Sequence, residues 1–141
     1  MNEYTGHWIT TYTGKKFHYL DPLEDEIDIK DIAHALSLTC RFAGHCKQFY
    51  SVAEHSILVA EQVIPHLKLH ALLHDAHEAY LHDVPRPIKQ DIAGYKEIAD
   101  RIQGAIETKF NVWMCPEIKK WDDVLLSTEA KELLSNTADW L

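Results

Sequence analysis

The apolar positions change their period along the chain. In residues 7–20, Ile9, Thr11, Phe17 and Tyr19 flank Thr13-Gly14-Lys15, a turn signal between two β-prone runs, which predicts a small hairpin. Asp21-Pro22 breaks that run. From Asp28 the spacing becomes helical: Ile29, Ile32, Ala33 and Leu36 fall at i, i+3, i+4 and i+7 and predict a helix of about ten residues. Residues 39–50, with Gly44 among polar and aromatic residues, read as a loop. Ser51, with Glu54 three residues on, predicts a capped helix running to about Ile64, where Pro65 stops it. A further helix over about 66–80 carries Leu69, Leu72, Leu73 and Ala76 on its apolar face. Pro85 and Pro87 are expected to end any helix there and to force an extended or turn conformation. Residues 91–110 are helical by the period of Ile92, Tyr95, Ile98, Ala99, Ile102, Ala105 and Ile106, and a last helix begins near Pro116 with Ile118, Trp121, Leu125 and Leu126. The pattern predicts an all-α fold of about five helices with an N-terminal β-hairpin. Residues 1–141 are expected to form one domain, with 1–25 as a hairpin extension and 28–134 as the helical core.

Composition narrows what such a domain can do. With 141 residues and a 46% hydrophobic share, one real core is available without staples. The net charge of −8, with no run of five Lys/Arg, argues against a nucleic-acid polymer as partner. Any phosphate handled here is expected to be small and held in a locally positive pocket. Cys40, Cys46 and Cys115 lack a CxxC spacing, so neither a disulfide framework nor a zinc ribbon follows. No basic-then-apolar leader and no stretch of eighteen apolar residues is present, so a cytoplasmic protein without a membrane partner is expected.

The candidate chemistry lies in the ten histidines, and above all in residues 69–83. Glu78 sits four residues after His74 and three after Asp75, so on one helix the three converge beside the Leu72/Leu73/Ala76 stripe. Polar groups packed there need compensation, and a divalent cation provides it. Imidazole with carboxylate suits Mn, Fe, Co, Ni or Zn, and an all-oxygen site would suit Mg better. His55 lies near the start of an amphipathic helix. Asp122 falls on the buried stripe of the last helix, with Asp123 turned away and kept as its alternative. Each residue also has a plainer reading: His55 as a satisfied core histidine, Asp122 as a dipole-complementing carboxylate, Asp83 as a turn cap, Arg41 as a surface charge.

A His in an upstream helix, a His-Asp doublet and a distant helical Asp resemble the HD-domain phosphohydrolase superfamily. The segments Ser-Val-Ala-Glu-His-Ser (51–56) and Leu-His-Asp-Ala-His-Glu-Ala-Tyr-Leu-His-Asp-Val-Pro-Arg-Pro-Ile-Lys (73–89) are similar to its compact branch of bacterial 5′-deoxynucleotidases and phage deoxynucleoside triphosphohydrolases. The resemblance covers roughly residues 28–134 and implies an HD-type bundle holding one divalent metal on His55, His74, Asp75 and Asp122. It further implies Glu78 and Asp83 as catalytic acids and Arg41 as a phosphate contact. Its implied activity is hydrolysis of a phosphate in a small nucleotide, either a nucleoside 5′-monophosphate or a deoxynucleoside triphosphate.

Beyond the resemblance, Lys89 could add a point charge at the phosphate, and Arg86 could as well face water. His45 is a candidate to line the pocket, and Phe42, Trp8 and Ile9 are candidates to stack on a base. His77, about 100° around the helix from Glu78, is expected at the surface, and His34 in a core or interface. Trp113, Trp121 and Trp140 permit a homo-oligomer without demanding one. The competing class is a catalytically degenerate HD-like module that binds nucleotides for signalling. Degeneracy should remove ligands, and all four are present.

Overall fold

The computed structural model describes residues 6–139. The expected hairpin forms: strand β1 (Trp8–Thr10) pairs antiparallel with β2 (Lys16–His18), with Ile9 opposite Phe17. Its turn needs a left-handed residue, and Gly14 supplies it at φ 87°. A hairpin of two three-residue strands is marginal alone, and side chains fasten this one to the helices. Phe17 is fully buried and stacks on Tyr80 at 3.8 Å between centroids. The Thr13 amide and hydroxyl donate to the buried Asp31 carboxylate at 2.7 and 3.0 Å, and the His18 amide donates to Glu26 at 3.0 Å.

Helix α1 (Ile29–Leu38) is capped by Asp28, whose carboxylate accepts the Lys30 amide at 2.8 Å. Its buried stripe is rotated from the expected one. Ile32 and Leu36 face the core, whereas Ile29 and Ala33 are exposed, because the hairpin docks on the Asp31 side. Helix α2 (Val52–Gln62) starts as anticipated, with the Ser51 hydroxyl accepting the Glu54 amide at 3.0 Å.

The expected helix over 66–80 is broken. Helix α3 (Lys68–Leu72) ends before the His-Asp doublet, residues 73–77 run through successive tight turns, and α4 (Glu78–Leu81) follows. Side chains capture the groups that would continue the helix. His74 Nδ1 donates to the Ala71 carbonyl at 2.6 Å. Gln103 inserts between Leu73 and His77, donating to the Leu73 carbonyl at 2.9 Å and accepting the His77 amide at 3.1 Å.

The prolines also behave differently from expectation. Pro85 precedes α5 (Arg86–Asp91) and Pro87 sits in its first turn, where a missing N–H removes no helical bond. Gly94, at φ 83°, separates α5 from α6 (Tyr95–Phe110), so the helix expected from residue 91 starts later. Helix α7 (Pro116–Leu133) begins at the expected proline. The described residues therefore hold seven α-helices rather than about five. The fold is a helical bundle with a small hairpin, as the hydrophobic pattern implied.

Two adjoining apolar clusters form the core. One gathers Phe17, Ile27, Ile32, Leu36, Val52, Leu73, Ile102 and Ile106, and the other Val59, Val63, Ala71 and Ile118 under Trp121 and Leu125. Helix α2 packs against α1, α3 and α7, which places its inner face at the centre of the bundle. Trp113 is exposed, and Trp140 lies outside the described residues.

Truncating Phe17 empties a sealed site, so Phe17→Ala should lower stability by about 3–5 kcal/mol in urea denaturation. Burial opposes ionisation of Glu26, but hydrogen bonds from the His18 amide and imidazole outweigh it and hold this carboxyl below its usual range. A depressed carboxyl stabilises the fold above its unfolded pKa and loses that effect on acidification. Glu26→Gln should therefore melt earlier than the parent at pH 7, and the two melting curves should converge as pH falls below about 4.

Candidate metal centre

Three elements bring the expected ligands together. His55, fully buried, projects from the inner face of α2. His74 and Asp75 come from the turns after α3, and Asp122 from the second turn of α7. One ligand atom from each of the four can be chosen so that all lie within 4.8 Å of one another. His55 Nε2 is 2.8 Å from Asp122 Oδ1, His74 Nε2 is 3.0 Å from Asp75 Oδ2, and His74 Nε2 is 3.5 Å from Asp122 Oδ1. Asp123 is exposed and pairs with Lys119 at 2.6 Å, so it does not replace Asp122.

The donor set fits a divalent cation. Both imidazoles spend Nδ1 on a neighbour and turn Nε2 inward: His74 Nδ1 donates to Ala71, and His55 Nδ1 donates to Glu129 at 2.8 and 2.9 Å. A partner on one ring nitrogen fixes the tautomer that leaves the other with a free lone pair. His74 Nε2 is buried and has no hydrogen-bond partner in spite of its nearness to the carboxylates. A cation would satisfy that atom and neutralise the two acids beside it. Two nitrogens and carboxylate oxygens suit a transition metal.

The same opposed charges govern protonation. Burial works against the His74 cation, but Asp75 and Asp122 outweigh it and hold its pKa well above the ordinary value. Burial likewise opposes the His55 cation, and Asp122 with Glu129 overcomes it. Asp75 and Asp122 would be pushed up by burial, yet the adjacent histidines hold both well below the usual carboxylate range.

A cavity of about 670 Å³ opens beside the cluster. Asp75 and Asp122 line it, together with Arg41, Phe42, His45, Glu78, Asp83 and Lys89, so six of the other expected residues share one space with the ligands. Arg86 also lines it while remaining exposed. Glu78 begins α4, and its Oε2 is buried without a hydrogen-bond partner. Burial raises its pKa well above the usual carboxylate range, and the charges of Asp75 and Asp83 add to that. Asp83 follows His82, whose φ of 73° and ψ of 174° lie in a region that side chains rarely occupy, next to the cavity. Arg41 and Phe42 belong to a tight turn, Arg41–Gly44, in which Phe42 and Ala43 take left-handed φ values of 57° and 52°.

Trp8 and Ile9 are not in this wall. They lie on the hairpin, Trp8 with Lys16 Nζ 4.9 Å from its ring centroid and Ile9 exposed. His77 is half-buried rather than at the surface, held through Nδ1 by Gln103 at 3.0 Å, and burial lowers its pKa. His34 stacks on Tyr12 at 3.7 Å, on the hairpin side.

Glu129 and Tyr50 are the residues the sequence reading missed. Glu129 is buried, and besides His55 it receives the Tyr50 hydroxyl and lies 3.4 Å from Arg41 Nη2. The available signal is its place seven residues after Asp122, two turns along the same helical stripe, beside the buried Ala130 and Leu133.

A helical bundle with a buried His/Asp cluster able to hold a metal ion is thus the class that fold and site define. No family model matches the chain. The uncharacterized protein YfdR of Escherichia coli (strain K12) is 41% identical over 128 residues, which cover 89% of this chain and 72% of that protein. The uncharacterized protein RCAP_rcc00048 of Rhodobacter capsulatus is 39% identical over 115 residues, which cover 74% of this chain but only 59% of that protein. The chain belongs to the same family as YfdR. No helix among the described residues is long and apolar enough to cross a membrane.

A metal that binds only the folded cluster raises stability by mass action, about 2.7 kcal/mol at a hundredfold excess over Kd. Adding Mn²⁺ or Co²⁺ should therefore raise the melting temperature of the parent and of Asp123→Asn alike. Asp122→Asn should lose most of that rise, as read by differential scanning fluorimetry.

Proposed function

We propose that this protein is a metal-dependent phosphohydrolase of the HD superfamily acting on small nucleotides. The observation that carries the reading is a His/Asp cluster whose two acids, Asp75 and Asp122, line a cavity that also holds Arg41, Arg86 and Lys89 and two further acids, Glu78 and Asp83. His55, His74, Asp75 and Asp122 would hold the cation, which when bound would supply Lewis acidity at a phosphoryl oxygen and lower the pKa of water beside it. Arg41 and Lys89 bind the phosphate oxygens, Arg41 through a planar fork and Lys89 as a point charge. Glu78 orients the attacking water and takes its proton. Burial raises its pKa well above the usual carboxylate range, which makes the carboxylate a stronger base toward that water. Asp83, which lines the same cavity, is the acid assigned to protonate the leaving oxygen. Phe42 and the prolines flanking Arg86 give an apolar wall for a base or sugar.

The test is a screen of deoxy- and ribonucleoside mono-, di- and triphosphates with Mn²⁺, Co²⁺, Ni²⁺, Zn²⁺ or Mg²⁺, reading phosphate and nucleoside release. Turnover is expected with a transition metal, abolished in Asp75→Asn and reduced about 10²–10⁴-fold in Glu78→Gln. Release of triphosphate would mark a triphosphohydrolase, and release of orthophosphate from monophosphates a nucleotidase. Inertness toward every nucleotide, or full activity in Asp75→Asn, would overturn the proposal.

A further inference from the structure

We propose that Glu129 is a positioning residue for the metal centre, clamping His55 so that its Nε2 alone faces the other ligands. The inference rests on the metal-dependent reading above and extends it to a residue outside the ligand set.

Glu129 is 5% exposed, and an isolated carboxylate so buried is costly. Three partners, two from the loop before α2 and one from α2 itself, satisfy it. His55 Nδ1 donates to both oxygens, at 2.8 and 2.9 Å, the Tyr50 hydroxyl donates to Oε2, and Arg41 Nη2 lies 3.4 Å from Oε1. Because Glu129 is two turns beyond Asp122, a single face of α7 presents two carboxylates to the two nitrogens of one imidazole. The ring cannot turn without losing one of them. A hydrogen-bonded carboxylate on Nδ1 sets the proton there, frees the Nε2 lone pair and makes it more basic as a ligand. Tyr50 and Arg41 fix the carboxylate from its far side, so the orientation of His55 does not depend on a flexible partner. Arg41 also lines the cavity, and Glu129 thereby joins the metal centre to the cavity wall.

The experiment measures Zn²⁺ binding by titration calorimetry on the full chain, with folding checked by circular dichroism. Glu129→Gln should bind Zn²⁺ about 10- to 100-fold more weakly than the parent, and Glu129→Ala at least as weakly. A folded Glu129→Gln with parental Zn²⁺ affinity would overturn the proposal, since a purely structural role would lower the melting temperature and leave that affinity alone. A second measurement needs no variant: in the Zn²⁺-loaded parent, nitrogen-15 NMR should place the His55 proton on Nδ1. A proton on Nε2 would refute the clamp. Binding is read apart from turnover, so a parent that binds Zn²⁺ with His55 protonated on Nδ1 but hydrolyses no nucleotide would fail the substrate reading and support the clamp. A parent that binds no Zn²⁺ would overturn both.

Discussion

The opposition of two imidazoles and two carboxylates at the centre of the bundle is the constraint on which the rest turns. His55 and His74 are buried, and Asp75 and Asp122 are largely so. Such groups are destabilising in an apolar interior unless each is matched. Matching them requires α2, the turns after α3 and α7 to meet at one place. The break in the helix over 66–80 serves the same end. A continuous helix would hold its own Ala71 and Leu73 carbonyls. Here His74 and Gln103 take part in satisfying them, and the chain turns so that the doublet faces α2 and α7.

That local departure from helix has a chemical consequence. Glu78 starts a new helix beside the cluster, and the short connection beyond α4 brings Asp83 to the same cavity. The acids proposed to move protons are therefore set by the segment that carries His74 and Asp75, while Arg41 and Phe42 come from the strained turn before α2. Around the centre, Glu129, Tyr50 and Arg41 form a buried polar network in which removal of one member leaves another charge uncompensated.

The helical class, the hairpin, the Ser51 cap and the clustering of His55, His74, Asp75 and Asp122 were legible because each has a signal within the sequence. Periodicity marks α1, α6 and α7, Thr13-Gly14-Lys15 marks the turn, and Asp122 is an acid within an apolar stripe. The helix break at 73–77 was not legible, because Gln103, thirty residues away, takes part in holding it. Pro87 misled, since a proline in a first turn and one that ends a helix look alike without the fold. Trp8 and Ile9, candidates to stack on a base, do not line the cavity, because the hairpin docks through Asp31 and Phe17. Glu129 carried the same stripe signal as Asp122, but its partners Tyr50 and Arg41 belong to a segment whose approach no local pattern encodes.

The most direct measurement is anomalous diffraction from crystals grown with Mn²⁺, collected at the manganese edge. One strong peak is expected, bounded by His55 Nε2, His74 Nε2 and carboxylate oxygens of Asp75 and Asp122, beside the cavity. A manganese peak elsewhere, or none at this cluster with the fold intact, would contradict it.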